Sequence, residues 1–371
     1  MRILIAPDKF KGSLSAREVA ESIAAGLHDV LPNAKLDLVP MADGGEGTAE
    51  VICRSLAGEW VECAGHDALG QTITARYGWL RDRMMAVMEM SETAGAWRIA
   101  LHQRDPFSAS TYGVGEMLLD AVRRETKEVI IGLGGSATND GGFGMARALG
   151  YRFLSKDSVE LNGAVTDLRS LEQIVSPPNL ILPRVTAAAD VRNPLLGMRG
   201  ATRTFGPQKG VASDQLEVFE KALARLADIV ARDLGCDFRE AAGAGAAGGL
   251  GFGLMSFCGA TIRPGFDLIA EMLDLEAAIE RADLVITGEG SLDNQTLEGK
   301  APAGVAQLAR KLGKRVFAIV GCATDEQAAR EIFDGVLVLA QPPMTREQAM
   351  SRTQELLQER GRELGRELSS S

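Results

Sequence analysis

Aspartate, glutamate and lysine residues stand directly after the short apolar runs of this chain. Asp8, Lys9 and Lys11 follow Ile3–Ala6, and Asp43 and Glu46 follow Leu36–Met41. Asp190 and Arg192 follow Val185–Ala189. Glu289 and Asp293 follow Leu284–Thr287, and Lys300 stands just ahead of Pro302. Carboxylates and lysines gathered at strand ends suit phosphoryl transfer. The carboxylates hold Mg2+ or take a hydroxyl proton, and the lysines offset charge on the transferring group. Taken singly, each of these residues is more often a helix cap or a surface ion-pair partner; it is their joint placement that points to phosphoryl transfer.

Glycine concentrates in the same places. The chain has 42 glycines, where the usual share of ~7% would give about 26. Four groups account for the excess: 44, 45 and 47; 132, 134, 135, 141, 142 and 144; 243, 245, 248, 249, 251 and 253; and 288 and 290. Three of the groups follow a proposed strand and precede a helix. Open α/β sheets bind ligands there, and free helix N–H groups take anions there. The run Leu133–Gly144 offers many backbone donors together with the Ser136 and Thr138 hydroxyls, which suits a phosphate cradle. A loop that merely packs tightly is the plainer reading. There is no GxxxxGK[ST], so this is not a P-loop, and no GxGxxG after the first strand with an acid ~20 residues on, so a Rossmann dinucleotide site has only weak support. The form D-G-G-x-G occurs twice, at Asp43–Gly47 and Asp140–Gly144. An Asp at such a junction either holds Mg2+ or caps the helix. The third glycine group carries no charge and reads equally as a ligand approach or a close helix contact.

Composition narrows the chemistry. Three histidines (His28, His66, His102) form no HExxH pair, and five cysteines include no CxxC. Metal chemistry therefore falls to oxygen ligands, which suits Mg2+. The net charge of −10 and the absence of a Lys/Arg run argue against nucleic-acid or membrane partners. The cysteine usage suggests a reducing compartment. The first apolar run is too short for a signal peptide, and none approaches the ~20 residues of a membrane helix. A cytoplasmic protein is expected.

The elements that must position these residues alternate as in a parallel α/β sheet. Strands are expected at Ile3–Ala6, Leu36–Met41, Glu128–Gly132, Val185–Ala189, Leu284–Thr287, Arg315–Val320 and Gly335–Leu339. Trp60–Ala64, Gln71–Trp79 and Met84–Met90 read as a meander. Ser15-Ala-Arg-Glu18 is a capping box ahead of a helix, Val218–Leu234 is a helix, and Thr345–Leu368 is a charged helical tail with a solvated face. Residues 1–60 and 280–371 are expected to form one parallel-sheet domain, interrupted by a mixed α/β domain at 61–279.

Six motifs carry a resemblance. Ala6–Ser15 (APDKFKGSLS), Pro40–Thr48 (PMADGGEGT), Gly132–Gly142 (GLGGSATNDGG), Phe205–Gly210 (FGPQKG), Gly243–Gly251 (GAGAAGGLG) and Val285–Gly290 (VITGEG) are similar to the bacterial type-1 glycerate kinase family, in order along nearly the whole chain. The resemblance implies ATP- and Mg2+-dependent phosphorylation of D-glycerate to a phosphoglycerate. It also implies two α/β domains, one flavodoxin-like and discontinuous, with the site in the cleft between them. Met90–Arg98 departs from the small-residue run expected there. For a glycerate acceptor, Lys11 or Arg192 would clamp the carboxylate, with Lys9 and Ser13 as further substrate contacts. Asp190 or Asp43 would orient or deprotonate the hydroxyl. Asp293 or Glu289 would hold Mg2+. Gly134, Gly135, Ser136, Thr138 and Asn139 would cradle the nucleotide phosphates, with Lys300 alongside. Another small hydroxy acid, such as tartronate, is the alternative acceptor.

Overall fold

The protein is described by a computed structural model covering residues 1–292, 300–323, 329, 331–341 and 343–370. In chain order the strands among the described residues are β1 (Arg2–Ile5), β2 (Lys35–Leu38), β3 (Glu59–His66), β4 (Thr72–Leu80), β5 (Met85–Glu89), β6 (Glu128–Gly132), β7 (Arg152–Ser155), β8 (Leu171–Val175), β9 (Arg184–Ala188), β10 (Thr261–Arg263), β11 (Leu284–Leu292), β12 (Arg315–Ala323) and β13 (Gly335–Val338). The chain divides into two compact units. One comprises residues 1–43, 50–55 and 265–371, and the other residues 44–49 and 56–264. No described helix is long and apolar enough to cross a membrane.

The first unit holds a parallel five-stranded sheet in the order β13-β12-β11-β1-β2. This is the flavodoxin-like winding, in which the chain runs outward from β1 on one side and then resumes on the other. The reversal leaves a crevice at the carboxyl ends of β1 and β11. Ile3, Ile5, Ile286, Phe317 and Ile319 are buried between the sheet and helix Ala16–Val30. That helix starts as its sequence requires: the Ser15 side chain accepts from the Glu18 N–H, and Glu18 reaches back to the Ser15 N–H. The tail forms two helices, Arg346–Ser351 and Thr353–Ser370. The longer one buries Leu356, Leu357 and Leu364 against Ala16–Val30 and leaves most of its Glu and Arg residues outward. Contact is intimate because Gly26 has no side chain; a Cβ there would lie 2.1 Å from the Gln358 carbonyl oxygen.

One expectation is corrected in this unit. The fourth glycine group was read as a turn between strand and helix, but β11 continues through Gly288 and Gly290 to Leu292. A Cβ on Gly288 would sit 2.0 Å from the Ile319 carbonyl oxygen of β12. Gly288 serves strand-to-strand approach, Gly290 faces the turn at Phe10 and Lys11, and neither forms a loop.

The second unit holds a mixed six-stranded sheet, β10-β9-β6-β5-β4-β3. The three strands β3, β4 and β5 form the antiparallel meander, and β5, β6, β9 and β10 run parallel. Helix Leu216–Leu234 buries Phe219, Leu223, Leu226 and Val230 in its core beside Phe143, Phe153 and Phe252. Three strands went unread in the sequence. The hairpin β7–β8 and the strand β10 are short, and charged or polar residues interrupt their apolar runs.

Candidate active site

At the crevice of the first unit, β1 ends in Ala6-Pro-Asp-Lys9. The Asp8 N–H donates to the Gly288 carbonyl at 2.8 Å, which fixes the start of the loop against β11. Asp8 is only 6% exposed. Its carboxylate accepts from the Lys9 N–H at 2.6 Å. The Lys9 ammonium lies 3.9 Å from Asp8 and 3.8 Å from Asp43. Burial pushes the Asp8 carboxyl up to about 6. Lys9 opposes the rise, Asp43 adds to it by like charge, and the Lys300 charge also reaches it and lowers it. Glu289, on β11, is buried. Lys300 is half-buried at the start of helix Ala301–Lys311, whose second residue is Pro302.

Not all of the expected residues join this cluster. Lys11 is exposed on the turn closed by Phe10 and Leu14. Ser13 donates toward the Met350 carbonyl (3.1 Å) and the Thr353 hydroxyl (2.8 Å) of the tail. Asp293 lies outside the described residues.

In the second unit, Glu89, Gly132 and Ala188 stand in register at the carboxyl ends of β5, β6 and β9. The glycine loop leaves β6 at this edge, and Asp190 and Arg192 follow β9, exposed, on the neighbouring strand. The loop is braced on one side by the segment after β5. Gly95 pairs with Ser136, the Ala96 N–H donates to the Gly135 carbonyl, and the Ala137 N–H donates to the Ala94 carbonyl. The unusual residues of Met90–Arg98 therefore sit beside the loop. Trp97 is 59% exposed, its indole N–H is fixed on the Ser91 carbonyl, and the Arg98 guanidinium lies over its ring.

Gly135 adopts φ +70°, a left-handed turn that favours glycine. Among the described residues, the N–H groups of Gly134, Gly135, Ser136, Thr138 and Asn139 make no backbone hydrogen bond within the protein. The Thr138 hydroxyl is buried with no partner. Unused donors on a glycine turn after a parallel strand fit the phosphates of a nucleotide. Asn139 is buried, and its amide donates to the Thr202 hydroxyl.

The second D-G-G-x-G caps a helix. Asp140 is 1% exposed and accepts from the N–H groups of Thr111, Gly142 and Gly144 and from the Thr111 hydroxyl, at 2.9–3.1 Å. Burial raises its carboxyl, and these four donors oppose the rise. The third glycine group proves to be a packing device. Ala247, Gly248 and Gly249 are left-handed and kink helix Ala246–Cys258. A Cβ on Gly253 would lie 2.7 Å from Gly142 Cα, so glycine lies on glycine behind the loop of residues 133–144.

Glu89 has no role in the sequence reading, and Asp8 stands there only among the strand-end carboxylates. Glu89 accepts from the N–H groups of Gly47 and Ala49 at 2.9 Å and so fastens the first D-G-G-x-G turn. Its signal was a lone acid closing the apolar strand Met85–Glu89. No group of three His, Cys, Asp or Glu side chains that could hold a metal occurs among the described residues. Mg2+ held on nucleotide phosphates needs only one or two carboxylates, and Asp8 and Glu289 are of the right chemistry.

The comparisons with known proteins identify the family. Residues 3–369 match the model of the glycerate kinase family. The chain is 42% identical to a glycerate kinase of Bacillus subtilis over 86% of its length and 85% of the relative's. It is 38% identical to one of Halalkalibacterium halodurans, covering 98% and 97%, and 39% identical to a glycerate 2-kinase of Escherichia coli, covering 88% and 86%. A solved structure of a candidate glycerate kinase 2 from Salmonella typhimurium LT2 superposes with a TM-score of 0.88 at 39% identity, over 100% of this chain and 98% of that one. With strand order, motifs and full-length similarity in agreement, the chain belongs to the glycerate kinase family.

Proposed function

We propose that this protein phosphorylates D-glycerate with ATP and Mg2+. The observation that carries the reading is the family match across residues 3–369. Supporting it are the unused donors at Gly134–Asn139 and the carboxylate and lysine cluster at the β1–β11 crevice.

The nucleotide phosphates lie on the loop Gly134–Asn139, where N–H donors and the Thr138 hydroxyl take their charge. Mg2+, when bound with the nucleotide, would neutralise charge that builds on the transferring group. Glu289 and Asp8 are carboxylates whose chemistry would suit it, with Asp293 as a further candidate. Lys9 and Lys300 offset the charge around them. Asp43 or Asp190 orients the acceptor hydroxyl and takes its proton. Lys11 or Arg192 clamps the glycerate carboxylate, for which a guanidinium fork is well shaped. The E. coli relative is named a glycerate 2-kinase, and the product proposed is accordingly 2-phosphoglycerate.

Phosphorus NMR of a reaction containing the protein, ATP, Mg2+ and D-glycerate tests this. A phosphomonoester signal coupled to a single carbon-bound proton supports the 2-position. Coupling to two methylene protons places the phosphate at the 3-position. No phosphoglycerate from D-glycerate, with turnover on tartronate or another hydroxy acid, overturns the substrate.

A further inference from the structure

Lys209 ends the single 3-10 turn Pro207–Lys209 and is only 3% exposed. A lysine is almost never wholly inside a protein unless a partner takes its charge. This one donates from Nζ to the Thr138 carbonyl at 2.6 Å. Gly248 closes the space around the contact. A Cβ there would lie 2.0 Å from the Thr138 carbonyl oxygen and 2.8 Å from Nζ. The peptide between Thr138 and Asn139 is therefore gripped from behind by an ammonium and by a bare stretch of backbone. In a trans peptide the N–H lies opposite the carbonyl, so fastening the Thr138 carbonyl also fixes the direction of the Asn139 donor.

We propose that Lys209 is a positioning residue, which presets the loop of residues 133–144 for the nucleotide phosphates by holding the Thr138–Asn139 peptide from its buried side. This rests on the proposed function, in which that loop receives the phosphates. The ionisable surroundings are sparse. Asp140, on the loop, favours the ammonium. Helix Ala246–Cys258 brings no Asp, Glu, Lys, Arg or His to the contact. Arg104 donates to the adjacent Gln208 carbonyl, and Arg203 pairs with Glu217. Burial lowers the Lys209 amine to about 7, with Asp140 acting against it. As pH rises through neutrality the ammonium is lost, and a charge-assisted hydrogen bond becomes an ordinary one.

The test measures nucleotide affinity and steady-state kinetics of the full-length protein from pH 6 to pH 9, for wild type, Lys209→Met and Lys209→Gln. Lys209→Met should raise KM and Kd for MgATP about 10- to 100-fold and leave KM for glycerate within about twofold. It should also abolish the loss of nucleotide affinity above neutral pH that is expected of wild type. Lys209→Gln, which keeps a donor without the charge, should fall between the two and be insensitive to pH. A Lys209→Met protein that binds MgATP like wild type overturns the role. So does an equal loss for both substrates, or a wild-type pH profile in the variants. Loss of the fold in both variants makes Lys209 a scaffold residue and also rejects it. If wild type itself binds no MgATP, the proposed function fails first.

Discussion

The two D-G-G-x-G turns are identical in four of five residues and differ in what surrounds the aspartate. Asp140 is sealed inside its unit and spends its carboxylate on four donors of its own backbone and Thr111. Asp43 is partly open, has Lys9 3.8 Å away, and stands near the buried acid Asp8. A carboxylate whose lone pairs are all committed shapes a loop. One that faces a lysine and a like-charged neighbour retains the means to bind an ion or move a proton. The motif itself says only that backbone comes close.

Substitutions should separate the two turns sharply. The largest effect is expected at Asp43: Asp43→Asn should lower kcat by about 10²- to 10⁴-fold, the range for a lost general base, with Tm nearly unchanged. A variant of normal turnover would pass the role to Asp190, and Asp190→Asn would then carry the loss. Asp140→Ala should show the opposite profile. It strands buried donors and should cost on the order of 3 kcal/mol of stability, read by denaturant unfolding. An Asp140→Ala protein of wild-type stability would dissolve the distinction.

The pH dependence sharpens the comparison. Asp8 has a folded pKa of about 6 against an ordinary 3.8. The folded state therefore binds the proton more tightly than the unfolded chain between those values. Its contribution to stability falls as pH rises from about 4 to about 6 and is level above that. If the ionised Asp8 serves the reaction, kcat/KM should rise through pH 6 in wild type, and Asp8→Asn should erase that limb. An unchanged limb in Asp8→Asn would assign it to another group. The smallest effect is expected at Ser13. Because its hydroxyl engages the tail, Ser13→Ala should cost about 1 kcal/mol of stability and leave KM for glycerate within about twofold. A tenfold rise in KM would return Ser13 to the substrate.

Much of the architecture was legible in the sequence because short apolar runs were bounded by glycine and charge. Glu128–Gly132 matches β6 end to end, and the helix read at Val218–Leu234 begins two residues earlier, at Leu216. What escaped was set by distant chain. Gly288 and Gly290 look like a turn until β12 lies beside them. The loop donors could be guessed from Gly134, Gly135, Ser136 and Thr138. The commitments of Asp140 to Thr111 and of Ser13 to Thr353 span 29 and 340 positions, and no local spacing encodes them. Lys209 sat in plain view within Phe205–Gly210. Its burial, and hence its part in the loop, appears only when Gly248 is folded against it.

The central claim is that this chain transfers phosphate from ATP to glycerate, and ADP release in a coupled assay tests it most directly. With Mg2+ and D-glycerate present, saturable ADP release is predicted, falling to background when glycerate is left out. No ADP release above background at millimolar D-glycerate would contradict the account.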